Sequence, residues 1–221
     1  MQFAKDYVGL DYHNDGHSHI DAFCHVAFDG SLFNGEPEDS ITAEGADVGT
    51  IAMLKDGLVG RGVLLDVPRV RGVAWLEPGE HVFPEDLEAA EREQGVEVGT
   101  GDILLVRTGH ARRLAELELW DTRVAKAGLH PTTASFLAER QIAALGSDGN
   151  NDTAPSTTEG VAFPIHVLAL NAMGVHLFDY LQFEDVVGEC EAVRRWEFLF
   201  VAAPLRIVGG TGSPLNPVAI F

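Results

Sequence analysis

The sequence predicts one α/β domain. Three observations carry this. Short apolar runs bounded by turn residues alternate with capped helical stretches. The chain of 221 residues has the length of one ordinary domain. Its 46% hydrophobic and 22% charged residues are globular values, sufficient for a sizeable core.

The elements follow in order. The N-terminal third, to about residue 57, is rich in His, Asp and Gly and poor in helix signals. Arg61 to Val67, RGVLLDV, reads as a buried strand between Gly60 and Pro68. Pro84 opens PEDLEAAEREQG, a helix with early acids and a stop at Gly95. Gly101 to Thr108, GDILLVRT, is a second buried strand. Thr132 to Arg140 reads as a helix with a capping hydroxyl, and Gln141 to Gly146 as a strand leading into Ser147 and Asp148. Residues 149 to 164, GNNDTAPSTTEGVAFP, form a loop long enough to suggest function. His166 to Met173 reads as a helix stopped by Gly174, and Val175 to Leu181 as a strand. The C-terminal LRIVGGTGSPLNPVAIF is turn-rich until its last residues, with GGTGSP a tight turn. It lacks the Lys of a phosphate loop.

Fifteen basic against 34 acidic residues leave a formal charge of −19. That argues against nucleic acid, whose phosphates need a basic face, and against an anionic membrane surface. The acid is spread out rather than gathered in a tail. Two distant cysteines, Cys24 and Cys190, read as reduced thiols of a cytoplasmic protein. No apolar stretch approaches the roughly 20 residues of a membrane span, and the N-terminus has no secretory apolar region.

The chemistry concentrates in HNDGHSHIDAFCH, residues 13 to 25, which holds four of the nine histidines and two aspartates. Imidazole and carboxylate together are the ligand set of zinc and other divalent first-row metals. On an extended strand His19 and Asp21 share a face, and His17 and His25 have the same parity. His166, His176 and Asp179 form a second, distant patch, in which His166 reads equally well as a core histidine. Cys24 beside His25 raises a thiol nucleophile, although neighbouring strand residues face opposite ways and Cys24 reads better as core. Asp148 reads as a ligand orienter or a turn cap. His81, His110 and His130 read as surface residues.

HSHIDAFCH resembles the signature H-x-G-T-H-x-D-x-P-x-H of the cyclase-like metal-dependent hydrolases, the family of bacterial kynurenine formamidase and isatin hydrolase. His19, Asp21 and His25 fall on its second His, its Asp and its last His. Ser18 stands for Thr and Phe23 for Pro. RGVLLDV, GDILLVRTGH, GSD at 146 to 148, PIHVLAL followed by FDYLQFE, and GGTGSPLNPVAI resemble further family segments in the same order. The signature's first His falls on Asp15 and its Gly on His17, so His13, Asp15 and His17 all stand as sources of the first ligand. The family's late acid is usually Glu; here Asp179 is the nearest match.

The resemblance implies a mixed, barrel-like sheet flanked by helices in a single domain spanning 1–221. It implies one or two divalent ions, zinc or manganese, held by His13, His19, Asp21, His166 and Asp179, with His25 as the proton-transferring catalytic residue. The activity it implies is hydrolysis of an amide, formamide or lactam C–N bond, or of a lactone, on a small molecule that is aromatic if Phe23, Phe28, Phe33 and Trp75 line the pocket. A homodimer or homotetramer is implied as well. The competing expectations are a metal-binding protein without turnover and a thiol enzyme using Cys24.

Overall fold

The computed structural model describes residues 1–221. Its centre is an eight-stranded sheet curled into a half-barrel. The strands are β1 (His19–Asp21), β2 (Leu58–Asp66), β3 (Ile103–Arg107), β4 (Ala144–Ser147), β5 (His176–Asp179), β6 (Glu197–Ala202), β7 (Gly212–Pro214) and β8 (Val218–Ile220). Their order in the sheet is β7-β1-β5-β4-β3-β2-β6-β8. The four central strands, β5, β4, β3 and β2, run parallel. The flanking pairs β1–β5, β1–β7, β2–β6 and β6–β8 are antiparallel. The expected mixed sheet is therefore present.

The helices are α1 (Val67–Arg71), α2 (Pro84–Gln94), α3 (His110–Glu116), α4 (Thr133–Arg140), α5 (Pro164–His166) and α6 (Glu184–Val193). A π-helical stretch, Val167–Met173, prolongs α5. α1 packs on α2, α2 on α4, and α4 on the π-helical stretch. This covering explains the continuous apolar runs of the central strands: Leu64, Leu104, Leu145 and Leu177 are fully buried.

The central expectations hold in position and type, with differences at the ends. The RGVLLDV strand begins three residues earlier, at Leu58, and stops at Asp66. Pro68 does not merely end it; it sits in the first turn of α1, where Asp66 accepts a hydrogen bond from the Arg69 amide. α2 ends as expected at Gly95, in left-handed backbone with φ 66°. Thr132 does not cap α4: its own backbone is helical and its hydroxyl lies 2.9 Å from His130 Nδ1. The GGTGSP segment is a turn only in its first half, since Gly212–Pro214 pairs with β1 as an edge strand. α3, α6 and β6 lie in stretches for which the sequence reading proposed no element. No helix is long and apolar enough to cross a membrane.

Candidate metal centre

β1 is only three residues long, yet it places the key pair. His19 and Asp21 lie on one face, and Ile20 turns to the other, into the core. The antiparallel register with β5 sets His19 directly opposite Asp179. His19 Nδ1 donates to the His17 carbonyl at 2.7 Å, because a carbonyl can only accept. Nε2 is thereby left with its lone pair toward the two carboxylates, 3.7 Å from Asp21 Oδ1 and 4.0 Å from Asp179 Oδ2.

His13 enters from the segment before β1. Its Nδ1 lies 3.0 Å from Asp21 Oδ1 and its Nε2 3.1 Å from the Thr211 hydroxyl. This approach requires glycine at 212, where a Cβ would stand 2.5 Å from the Ile20 carbonyl and 2.7 Å from the His13 ring. His25 ends a 3-10 turn, Phe23–His25, and stacks face to face on His13, with ring centroids 4.0 Å apart. His166, at the end of α5, brings Nε2 to 3.3 Å from Asp179 Oδ2 and 3.5 Å from Asp21 Oδ2. Its Nδ1 is held 2.6 Å from Asp152 Oδ2. Asp152 also accepts the backbone amides of Ile165 and His166, which fixes the start of α5. Asn150 and Asn151 donate to Asp179 at 2.8 and 2.6 Å.

The structure thus brings His13, His19, Asp21, His25, His166 and Asp179 into one cluster. Two triads within it, His13–Asp21–His25 and His19–Asp21–Asp179, each keep one ligand atom per residue within 4.8 Å of the others. Asp21 belongs to both. The remaining candidates stand apart. His17 is exposed and contributes only its carbonyl. Asp15 bonds to the hydroxyls of Tyr180 and Thr122. His176 donates Nδ1–H to the Asp21 carbonyl and stacks on Phe23. Cys24 is wholly buried, and burial pushes its thiol up to about 11, which removes the thiolate that a nucleophile needs. Asp148 is a cap, accepting the Thr108 and Gly109 amides. His110 is buried rather than on the surface. The sequence reading did not single out Asn150, Asn151 or Asp152 individually. Their only signal was the GNND string opening the long loop.

The electrostatics call for a cation. Asp21 is fully buried, and neither carboxylate oxygen accepts a well-directed hydrogen bond: its neighbours are imidazole nitrogens, His13 Nδ1 at 3.0 Å and His166 Nε2 at 3.5 Å. Such a group needs a partner. Burial would raise its pKa, but His25, His13 and His166 outweigh burial and hold it well below the usual carboxylate range. Burial lowers His166, yet Asp179 first, then Asp152 and Asp21, outweigh it and hold the imidazole well above 6.5. Burial pushes His25 down to about 4. Three carboxylates meeting on one imidazole, with an orphaned carboxylate among free ring nitrogens, are a donor set that fits a divalent ion.

The cluster opens into a cavity of about 530 Å³. Val26, Phe28, Pro155, Val161, Phe163 and Val167 supply its apolar lining. Of the four aromatics expected there only Phe28 takes part. Phe23 and Phe33 border a separate cavity, and Trp75 packs against Gly109.

The family model for cyclases matches residues 8–151. A crystal structure described as a novel cyclase is 30% identical, with a TM-score of 0.90 over 100% of this chain and 72% of that one. The chain belongs to the cyclase family. Its fold is shared, at lower identity, with two isatin hydrolase structures. One, bound to the product analogue thioisatinate, is 22% identical with a TM-score of 0.63, over 90% of this chain and 69% of that one. The other, isatin hydrolase A from Labrenzia aggregata bound to benzyl benzoate, is 21% identical with a TM-score of 0.62, over 97% and 87%. No curated protein matches the sequence significantly.

Proposed function

We propose that this cyclase-family member is a metal-dependent hydrolase of an amide, formamide or lactam C–N bond in a small aromatic substrate. The observation that carries the reading is Asp21, a buried carboxylate with no well-directed hydrogen bond, ringed by His13, His19, His25 and His166 at the base of an open cavity. The isatin hydrolases that share the fold support it, since isatin is a lactam fused to an aryl ring.

His13, His19, Asp21, His166 and Asp179 would hold one or two zinc or manganese ions. Such an ion supplies Lewis acidity, lowering the pKa of water and polarising the scissile carbonyl. The chain's own groups do the rest. Asp152 and the His17 carbonyl fix the ring orientations of His166 and His19, so that both present Nε2 to the site. Asn150 and Asn151 pin Asp179. His25 lines the cavity without a hydrogen bond that would tie up its ring, so it takes the proton from the attacking water and returns it to the leaving nitrogen. Phe28 and Phe163 flank an aryl group.

Elemental mass spectrometry of tag-free protein, with formamide, lactam and lactone hydrolysis assayed before and after chelation, tests this. One or two ions per chain, and amide or lactam turnover lost on chelation and restored by metal, is the expected result. Metal-free protein, or turnover indifferent to chelator, would overturn it. Turnover of lactones alone would overturn the assignment of the bond.

A further inference from the structure

The cavity contains a charged group that the hydrolytic reading does not use. Lys126 is 4% exposed, and its backbone is pinned by two hydrogen bonds with Ala154, each 3.0 Å. Lys126 lines the cavity shared with Asp21 and Asp179, and so does Phe163, whose ring its ammonium approaches. An ammonium carries three donors and pays heavily for burial unless they are used. The only carboxylate paired with it, Asp15 Oδ1, is 3.9 Å away, beyond hydrogen-bond reach. That same oxygen already accepts the Tyr180 hydroxyl at 2.6 Å, and Asp15 Oδ2 accepts the Thr122 hydroxyl. The Phe163 ring lies 5.3 Å from Nζ and offers a π face but no acceptor. Arg123, the other cation of the cavity, is taken up by Asp121 through bonds of 2.9 and 3.0 Å.

We infer that Lys126 is a specificity-determining residue that binds a carboxylate carried by the substrate, on the aromatic body that Phe28 and Phe163 flank. Asp15, held by its two hydroxyls, stands beside the Lys126 side chain without consuming its donors. In a chain of net charge −19, an acidic substrate gains from a buried cation at the point of contact. The inference rests on the proposed reading for the substrate's reacting bond, and it extends that reading to an acidic aryl amide or lactam.

The test measures affinity rather than turnover. Binding of benzoate, phthalate, isophthalate and terephthalate to metal-loaded protein is measured by calorimetry for the wild type, Lys126→Met and Lys126→Arg. Benzoate has one carboxylate to place, and a dicarboxylate of the right span has a second for Lys126. At least one dicarboxylate is expected to bind about tenfold or more tightly than benzoate. That advantage disappears in Lys126→Met, persists in Lys126→Arg, and benzoate affinity stays within about twofold throughout. The arginine variant guards against a methionine variant that merely loosens the fold. A wild type that binds all four alike, or a dicarboxylate advantage that survives Lys126→Met, would overturn the inference. Protein that shows the advantage yet hydrolyses no amide or lactam would leave Lys126 as an anion site and remove the hydrolase reading instead.

Discussion

At the scale of single residues, Asp21 decides the most. A buried carboxylate with no well-directed hydrogen bond is a poor choice for stability: a buried charge costs several kcal/mol unless compensated. The compensation here is imidazole, and His166 in particular is drawn to the protonated state by Asp179, Asp152 and Asp21. Metal and proton therefore compete for the same nitrogen. Zinc or manganese is expected to raise the melting temperature of the wild type and to leave Asp21→Asn unmoved, since ligand binding stabilises only a protein that has the site. His19→Ala and Asp21→Ala should both lose bound metal; normal metal content in either would remove that residue from the ligand set. His25 is a different case. It stacks on His13 and lines the cavity, so His25→Ala should retain the metal while turnover falls by roughly 10²–10⁴-fold. Full activity in that variant would assign the proton transfer elsewhere.

At the scale of elements, the site is held by two devices: the β1–β5 register and the start of α5. The second depends on Asp152, which receives the Ile165 and His166 amides and the His166 ring together. Asp152→Ala removes a helix cap and the group that orients His166. It should cost about 1–3 kcal/mol in chemical denaturation and weaken metal binding by roughly 10–100-fold. Unchanged metal affinity would show that His166 is positioned by packing alone. The same elements explain what was legible. β2, β3, β4 and α2 are written in continuous apolar runs, a proline start and a glycine stop, all local signals. β1 is three residues long, and its period-two face could be read from His19 and Asp21. His25 reaches the cluster through a 3-10 turn, which strand parity does not describe. Asp152, Asn150 and Asn151 act across 14 to 29 residues of sequence, so their roles depend on the fold that closes the loop onto β5 and α5. His110 shows the opposite failure: a polar residue beside Gly109 reads as surface, but the ring is buried against Trp120 and Tyr180.

At the scale of the whole molecule, that buried His110 links stability to pH. Burial pushes its imidazole down to about 4, with Lys126 and Arg113 acting in the same direction and Asp15 against them. The unfolded chain titrates it near 6.5. Above 6.5 neither state holds the proton, and between about 6.5 and 4 the unfolded state binds it preferentially. Stability is therefore lost as the pH falls through that window, by about 2 kcal/mol at pH 5. Asp148 works the other way. Burial raises its carboxyl to about 6, so its contribution is present at low pH and is lost as the pH rises from 3.8 to about 6. The net charge of −19 also shrinks toward the isoelectric point near 4.6, which relieves self-repulsion as acid is added. The overall profile sums opposing contributions, and only a difference between two proteins isolates one of them. His110→Phe keeps a ring between Trp120 and Tyr180 and removes the titration. Urea denaturation of both metal-free proteins, at pH 7 and pH 5 in fixed salt, should show the wild type losing about 2 kcal/mol more than His110→Phe over that interval. Parallel losses would mean that His110 reaches solvent readily enough to be protonated in the folded protein. The depressed imidazole would then play no part in the acid response.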